Sequence, residues 1–376
     1  MAFSLFHIIL VFAIVFSSIP TAFCRTKVNL PQRVSVLAEA HAAGDNFSGA
    51  VLLAKNGEVI YEKNFGFSDR EKRTPFTSET ASNVASIGKM FTSVLVLQLA
   101  EEKKLALTVT IGKLLPATKI PNADKITVRH LLMHTSGLGD FLYHPEFGKL
   151  SKNNIENDEL IALIEQQPLR FNEPGTRFEY SNSGYAVLGK IVERVTGKRY
   201  ADALNERIIQ RIDLKNTRFK INRADFRGLA HGYQKPAEAS DWQIVDRYTS
   251  APTPAGGIFS TARDLLAFDR ALFSGKLLKK ESFEMMKTRH TEMSVPGLGK
   301  AMYGYGMMIR DFPEQSFSLG HNGRFPGYTN EFQHYTVGAD EYTLVIISNY
   351  DLRARKLLLE IEAEILKATV EKKIAA

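Results

Sequence analysis

The chain opens on an unbroken apolar run from Ile8 to Phe16, followed by Pro20 and a small-residue pattern at Ala22 and Cys24. The run is too short to span a bilayer comfortably and has the form of a secretory signal over 1–24, with cleavage near Cys24. His7 stands where a lysine or arginine is usual, so an uncleaved anchor is the alternative. Further on, "RVSVLAEAHAAG" predicts a helix ending at Gly44, and "SGAVLLAKNGEVIYEKNFGF" places two apolar runs about Asn56 and Gly57, a hairpin signal. Between Ile87 and Leu99 apolar residues cover nearly every side, which predicts a helix buried in the middle of the fold with Ser86 at its N-terminus.

Residues 100 to 250 read as helical pieces and loops. The segment with Tyr185, Val187, Leu188, Ile191 and Val195 is a helix stopped by Gly197, and "TARDLLAFDRAL" is a helix opened by Thr261 and Asp264 at capping-box spacing. Strand patterns return in "YGYGMMIRD", "SFSLGHNG" and "YTNEFQHYTVGADEYTLVIISNY", the last turning near Gly338. A closing helix buries Leu358, Ile361 and Ile365. Strands at both ends with helices between predict an α+β fold: an antiparallel sheet built from both chain ends, flanking helices, and a mainly helical insertion. The expected division is a signal over 1–24, the first part of the sheet domain over 25–85, a mainly helical domain over 86–255, and the second part of the sheet domain over 256–376.

Composition narrows the chemistry. The one cysteine lies in the signal, so disulfides and thiolate metal sites are not expected to hold the processed protein together, and a hydrophobic content of 44% supplies a core instead. The net charge of +7 is scattered, with no basic run and no interleaved aromatics, which argues against a nucleic-acid partner and fits an anionic cell envelope or carboxylate-bearing substrates.

There is no phosphate-binding loop, no strand-linked "GxGxxG" and no "GxSxG" elbow. His130 and His134 are spaced like two zinc ligands, but Leu131 occupies the place of the zincin glutamate, so a structural role is expected and no metal or organic cofactor is called for. Three further elements are each weak alone. "SIGK" puts Ser86 three residues before Lys89, so that on a helix both share one face. "FEYSNSGY" holds Tyr180 and Asn182 after a turn at Pro174 and Gly175, and "GHNGRFPGY" holds His321, Asn322 and Gly323 at the end of a strand pattern.

In order and spacing the three elements resemble the serine β-lactamase and penicillin-binding protein family, in the branch of class C β-lactamases, D-alanyl-D-alanine carboxypeptidases and related esterases and peptidases. "ITVRHLLMHTSGL", "PGTRFEYSNSGYAVLG" and "TPAGGIFSTARDLLAF" resemble the connecting segments of that branch, and the similarity runs from about residue 45 to 350. Class C β-lactamases carry Lys-Thr-Gly where this chain has His321-Asn322-Gly323, which argues against a dedicated β-lactamase. The resemblance implies a β-lactamase/transpeptidase-like fold and a secreted or periplasmic serine hydrolase working through an acyl-enzyme on amides or esters such as D-amino-acid peptides. Carboxylesterase or β-lactamase action is the alternative within the family, and a non-catalytic peptidoglycan-binding or scaffold relative the alternative outside it. Ser86 is then the nucleophile, and either Lys89 as a neutral amine or Tyr180 as a phenolate takes its proton. By the same resemblance the backbone N–H groups of Ser86 and Arg324 form the oxyanion hole, Asn182 orients the acyl side chain or the lysine, and His321 anchors a substrate carboxylate or moves a proton, with Gly323 beside it. Tyr143 and Tyr328 are candidate pocket walls.

Overall fold

The computed structural model describes residues 29–150, 155–219, 228–239, 241–245, 252–295, 297–351 and 354–375; the signal expected over 1–24 lies outside them. Helix α1 (Leu30–Ala42) begins at a reciprocal cap, where Asn29 Oδ1 accepts from Gln32 N and the Gln32 side chain accepts from Asn29 N. Strands β1 (Gly49–Lys55) and β2 (Glu58–Phe65) follow as a hairpin. Its turn is the expected Asn56-Gly57 pair, with φ of +49° and +80°, the left-handed conformations that match the strand twist.

The remaining sheet strands come from the far end of the chain: β3 (Thr291–Val295), β4 (Gly299–Tyr303), β5 (Met308–Asp311), β6 (Phe317–Phe325), β7 (Tyr328–Val337) and β8 (Asp340–Ser348). The order across the sheet is β2-β1-β8-β7-β6-β5-β4-β3 and every pairing is antiparallel, so both chain ends build one sheet as expected. The β3–β4 hairpin is an addition to the sequence reading. It sits at the sheet edge, where Glu292 and Ser294 are exposed between the buried Met293 and Val295.

The period of two sorts the central strands between two cores. Val51, Leu53, Tyr335, Leu344 and Ile346 face α1 and the closing helix, which carries Leu358, Ile361 and Ile365. Leu52, Ala54, Phe332, Val345 and Ile347 face the opposite way, into the large core beneath the helices that lie between the two halves of the sheet. Among these are α2 (Gly88–Glu101), buried on all sides from Gly88 to Leu99, then α3 (Asn182–Thr196), ended by Gly197 at φ +67°, and α4 (Ala262–Phe273). Phe91 of α2 stacks on Phe268 of α4 with ring centroids 4.0 Å apart. At the start of α4 only half of the expected capping box forms. Thr261 Oγ1 accepts from Asp264 N, while the Asp264 carboxylate turns away to Asn216 N and Thr217 Oγ1. The closing helix is α5 (Ala354–Ala375).

Candidate active site

Ser86 does not open α2. It lies in the single 3-10 turn Ala85–Ile87 that precedes the helix, and its hydroxyl caps nothing there. Ala85 has φ of +49°, a conformation that an alanine adopts only when its surroundings impose it. The imposing contacts are visible. Asn83 Oδ1 accepts from Ala85 N at 2.9 Å, and Asn330 Nδ2 on β7 donates to Asn83 O at 2.9 Å. On the sheet side β6 crowds the turn so closely that a Cβ on Gly323 would come within 2.0 Å of Val84 O. Gly323 is thus what lets the strand backbone reach the Ser86 turn.

Lys89, one helical turn on, is fully buried. Its Nζ lies 3.1 Å from Ser86 Oγ, 2.8 Å from Asn182 Oδ1 and 2.6 Å from the Ala255 carbonyl oxygen. The Asn182 amide cannot flip, because its Nδ2 and its backbone N–H both donate to Asp140 Oδ2, at 2.8 and 2.9 Å. Burial brings the Lys89 amine down to about 7, against the opposing pull of the Asp140 charge. A neutral amine has two N–H groups and one lone pair. The oxygens of Asn182 and Ala255 can only accept, so they take both N–H groups and the lone pair is left for the Ser86 hydroxyl proton.

Tyr180 is half-buried on the other side of this group. Lys89 Nζ stands 4.9 Å from its ring centroid. Burial pushes the phenol well above its ordinary range, and its hydrogen bond with Ser86 offsets part of that rise, while the charges of Tyr185 and Asp140 add to it. As a neutral phenol it donates to Ser86 Oγ, whose own proton stays free for Lys89. Tyr180 is accordingly a protonated phenol across the neutral range.

The sequence expectation for His321 meets a different setting. The imidazole is 1% exposed and lowered to about 3, chiefly by burial and then by the Lys89 charge. Its Nε2 is bonded to Tyr303 Oη at 3.1 Å and its Nδ1 to the Asn322 carbonyl at 2.6 Å. With both nitrogens engaged and the ring uncharged, it does not offer a cation to a substrate carboxylate. Arg324 lies three residues further along β6, with a largely exposed side chain 3.5 Å from Asp351. Pairing of β6 with β5 stops at Gly320, so from His321 to Phe325 one strand edge borders a cavity of about 680 Å³ and leaves backbone groups available there.

That cavity brings together Ser86, Tyr180, Asn182, His321 and Arg324, and Tyr143 stands at its mouth. Tyr328 is instead a core residue, fully buried with its hydroxyl on Ala230 O. His130 closes a cap with Thr127, its Nδ1 accepting from Thr127 N, whereas His134 leaves the helix at φ +57° and packs against Tyr180 with centroids 4.2 Å apart. The two histidines therefore do not share a helix face. Asp140, Ala255 and Tyr303 were not foreseen. Only their position in the folded chain joins them to the site, and nothing local in sequence marks them.

A family model described as Beta-lactamase matches residues 35–367. A penicillin-binding protein of Bacillus subtilis (strain 168) is 26% identical over 336 residues, 86% of this chain and 72% of that protein. The D-amino acid amidase from Ochrobactrum anthropi SV3, solved with D-phenylalanine, superimposes with a TM-score of 0.77 at 25% identity, covering 90% of this chain and 99% of that one. EstCE1, described as a hydrolase with promiscuous acyltransferase activity, shares the fold at a TM-score of 0.75 and 23% identity, covering 90% and 98%. With nearly the whole described chain inside the matched span, the protein belongs to the Beta-lactamase family, whose members are serine hydrolases.

Proposed function

We propose that the protein is a serine hydrolase that works through a covalent acyl-enzyme, with Ser86 as nucleophile and neutral Lys89 as its base. The observation that carries this reading is the Lys89 hydrogen-bond set, in which two fixed acceptors leave the lone pair facing Ser86 Oγ at 3.1 Å. In acylation the Ser86 Oγ–C bond forms as the hydroxyl proton passes to Lys89 Nζ. The leaving group departs with a proton supplied by the Tyr180 phenol, which recovers one from Lys89. Water then cleaves the ester, its proton taken up through the same groups, and Ser86 is restored. The backbone amides of Ser86 and Arg324 receive the oxyanion, and Asp140 holds Asn182 so that its amide faces Lys89 and the acyl chain.

The substrates proposed are amides and esters of D-amino-acid type with an apolar side chain, released at the cell envelope. Leu138, Phe141, Phe178, Met293 and Val295 line the cavity, and the uncharged His321 favours leaving groups without a carboxylate at that wall. A fluorophosphonate probe read by intact mass tests the chemistry: one adduct is expected on the native chain and none on Ser86→Ala. An unlabelled native chain would support the non-catalytic reading instead, and labelling that survives Ser86→Ala would remove Ser86 as nucleophile. Release rates for matched D-amino-acid amides, esters, carboxylate-terminated peptides and β-lactams then order the substrates.

A further inference from the structure

Behind His321 runs a chain of side chains whose protons can be placed from its two ends. Ser181 N–H lies 3.1 Å from His134 Nδ1, and a backbone amide can only donate. Nδ1 of His134 is therefore the lone-pair nitrogen, so Nε2 carries the proton and donates to Tyr303 Oη at 3.2 Å. At the other end the Asn322 carbonyl can only accept, so His321 Nδ1 carries a proton and donates to it at 2.6 Å. Between them Tyr303 receives from His134 and passes its own proton to His321 Nε2 at 3.1 Å. Every donor then meets one acceptor, with both rings uncharged.

In the competing assignment, a doubly protonated His321, Tyr303 would accept from both rings and turn its own proton to Tyr185. That assignment would also bury a cation among the groups that face it, namely Lys89 from α2, Tyr180 from the loop before α3, and Arg355 from α5. His134 is enclosed by Lys89, Phe178, Tyr180, Tyr185 and Tyr303, none of which could compensate a positive charge on it. The chain ends on two backbone groups that neither release nor take up protons at neutral pH. It can brace a ring; it cannot conduct a proton out of the site.

We propose that His134 and Tyr303 are positioning residues that hold His321 as an uncharged Nδ1–H imidazole, keeping the cavity wall opposite Lys89 free of positive charge. The effect on turnover rests on the serine-hydrolase reading given above; the tautomers do not. The test is nitrogen-15 histidine NMR on the full chain, followed by steady-state kinetics. His134 should show the Nε2–H tautomer and His321 the Nδ1–H tautomer, neither titrating from about pH 8 to about pH 5. In Tyr303→Phe the His321 Nε2 lone pair loses its hydrogen bond, so its nitrogen-15 shift moves to that of an unbonded imidazole nitrogen while the ring, still buried, stays uncharged. The less firmly held ring lowers kcat about tenfold with KM held within about twofold. His134→Gln, which keeps an N–H for Tyr303, should lose less, and it carries the test if Tyr303→Phe does not fold. A native His321 that titrates in the window or bears Nε2–H overturns the proposal, as does a folded Tyr303→Phe with an unchanged His321 Nε2 shift and an unchanged kcat. Failure of Ser86 labelling would overturn the hydrolase reading while leaving these spectra as expected, so the two failures are told apart.

Discussion

Two buried sites on opposite faces of the central sheet treat their ionisable groups in opposite ways. On the face under α5, Arg310 and Glu362 meet as a bidentate ion pair, each less than a tenth exposed, and Tyr335 Oη donates to the same carboxylate at 2.9 Å. On the face toward α2, Lys89 is just as buried, yet among the described residues it forms no ion pair and meets only neutral acceptors. The first arrangement satisfies charge and holds α5 to the strands. The second leaves charge unfavourable, so the amine is lowered to about 7 and its neutral form, able to take a proton, is populated near neutrality. The Arg310–Glu362 pair is burial that serves the fold, and Lys89 is burial that serves chemistry.

The sharpest way to break this contrast is a crossed pair of substitutions. Lys89→Met should lower kcat/KM by about a thousandfold or more in steady-state assays. It should not lower the thermal midpoint at pH 7, because a desolvated amine is replaced by an apolar chain of similar length. The pH dependence has a definite sign. With a folded value of about 7 against 10.5 unfolded, Lys89 binds fewer protons in the native state between those values, so its contribution to stability improves as pH rises through that window. The gain from Lys89→Met should accordingly be largest below about pH 7 and vanish toward 10.5 in thermal scans. Glu362→Ala should do the reverse, costing about 3–5 kcal/mol in denaturant titrations while kcat/KM per folded molecule stays within about twofold.

Gly323→Ala probes the crowding between sheet and nucleophile turn. A Cβ there meets Val84 O at 2.0 Å, and the turn must shift to admit it. Probe labelling of Ser86 should slow by about a hundredfold, in keeping with the loss of an aligned oxyanion donor. Glu331 gives a smaller effect on the paired face. It bonds Arg355 through Oε1 at 2.5 Å, but among the described residues Oε2 finds no hydrogen-bond partner, and burial raises the acid to about 7 despite Arg355. Here the native state holds more protons than the unfolded chain from pH 4.5 to about 7, so stability falls as pH rises through that range, and Glu331→Gln should remove the slope.

Much of this division is legible in the sequence because it follows local rules. The Asn56-Gly57 turn, the all-round apolar Ile87–Leu99 stretch and the Gly197 stop each declare themselves within a few residues. Spacing marks Ser86, Lys89, Tyr180, Asn182 and His321, and the fold brings all but Lys89 to one cavity, with Lys89 buried directly behind Ser86. What sequence did not carry is the support. Asp140 matters because it lies against Asn182, Ala255 because its carbonyl reaches Lys89 across 166 residues, and Tyr303 because the edge hairpin sets it beside two histidines. The start of α2 was misplaced for a related reason. Nothing in an alanine announces φ of +49° at Ala85, which Asn83 and β6 impose from outside.

The most direct measurement is the rate of Ser86 phosphonylation as a function of pH. If neutral Lys89 is the base, the rate is half-maximal near pH 7 and falls as the amine is protonated below it. A rate that is flat through neutrality and rises only above about pH 9 would assign the proton to an ionising Tyr180 and contradict the role given to Lys89.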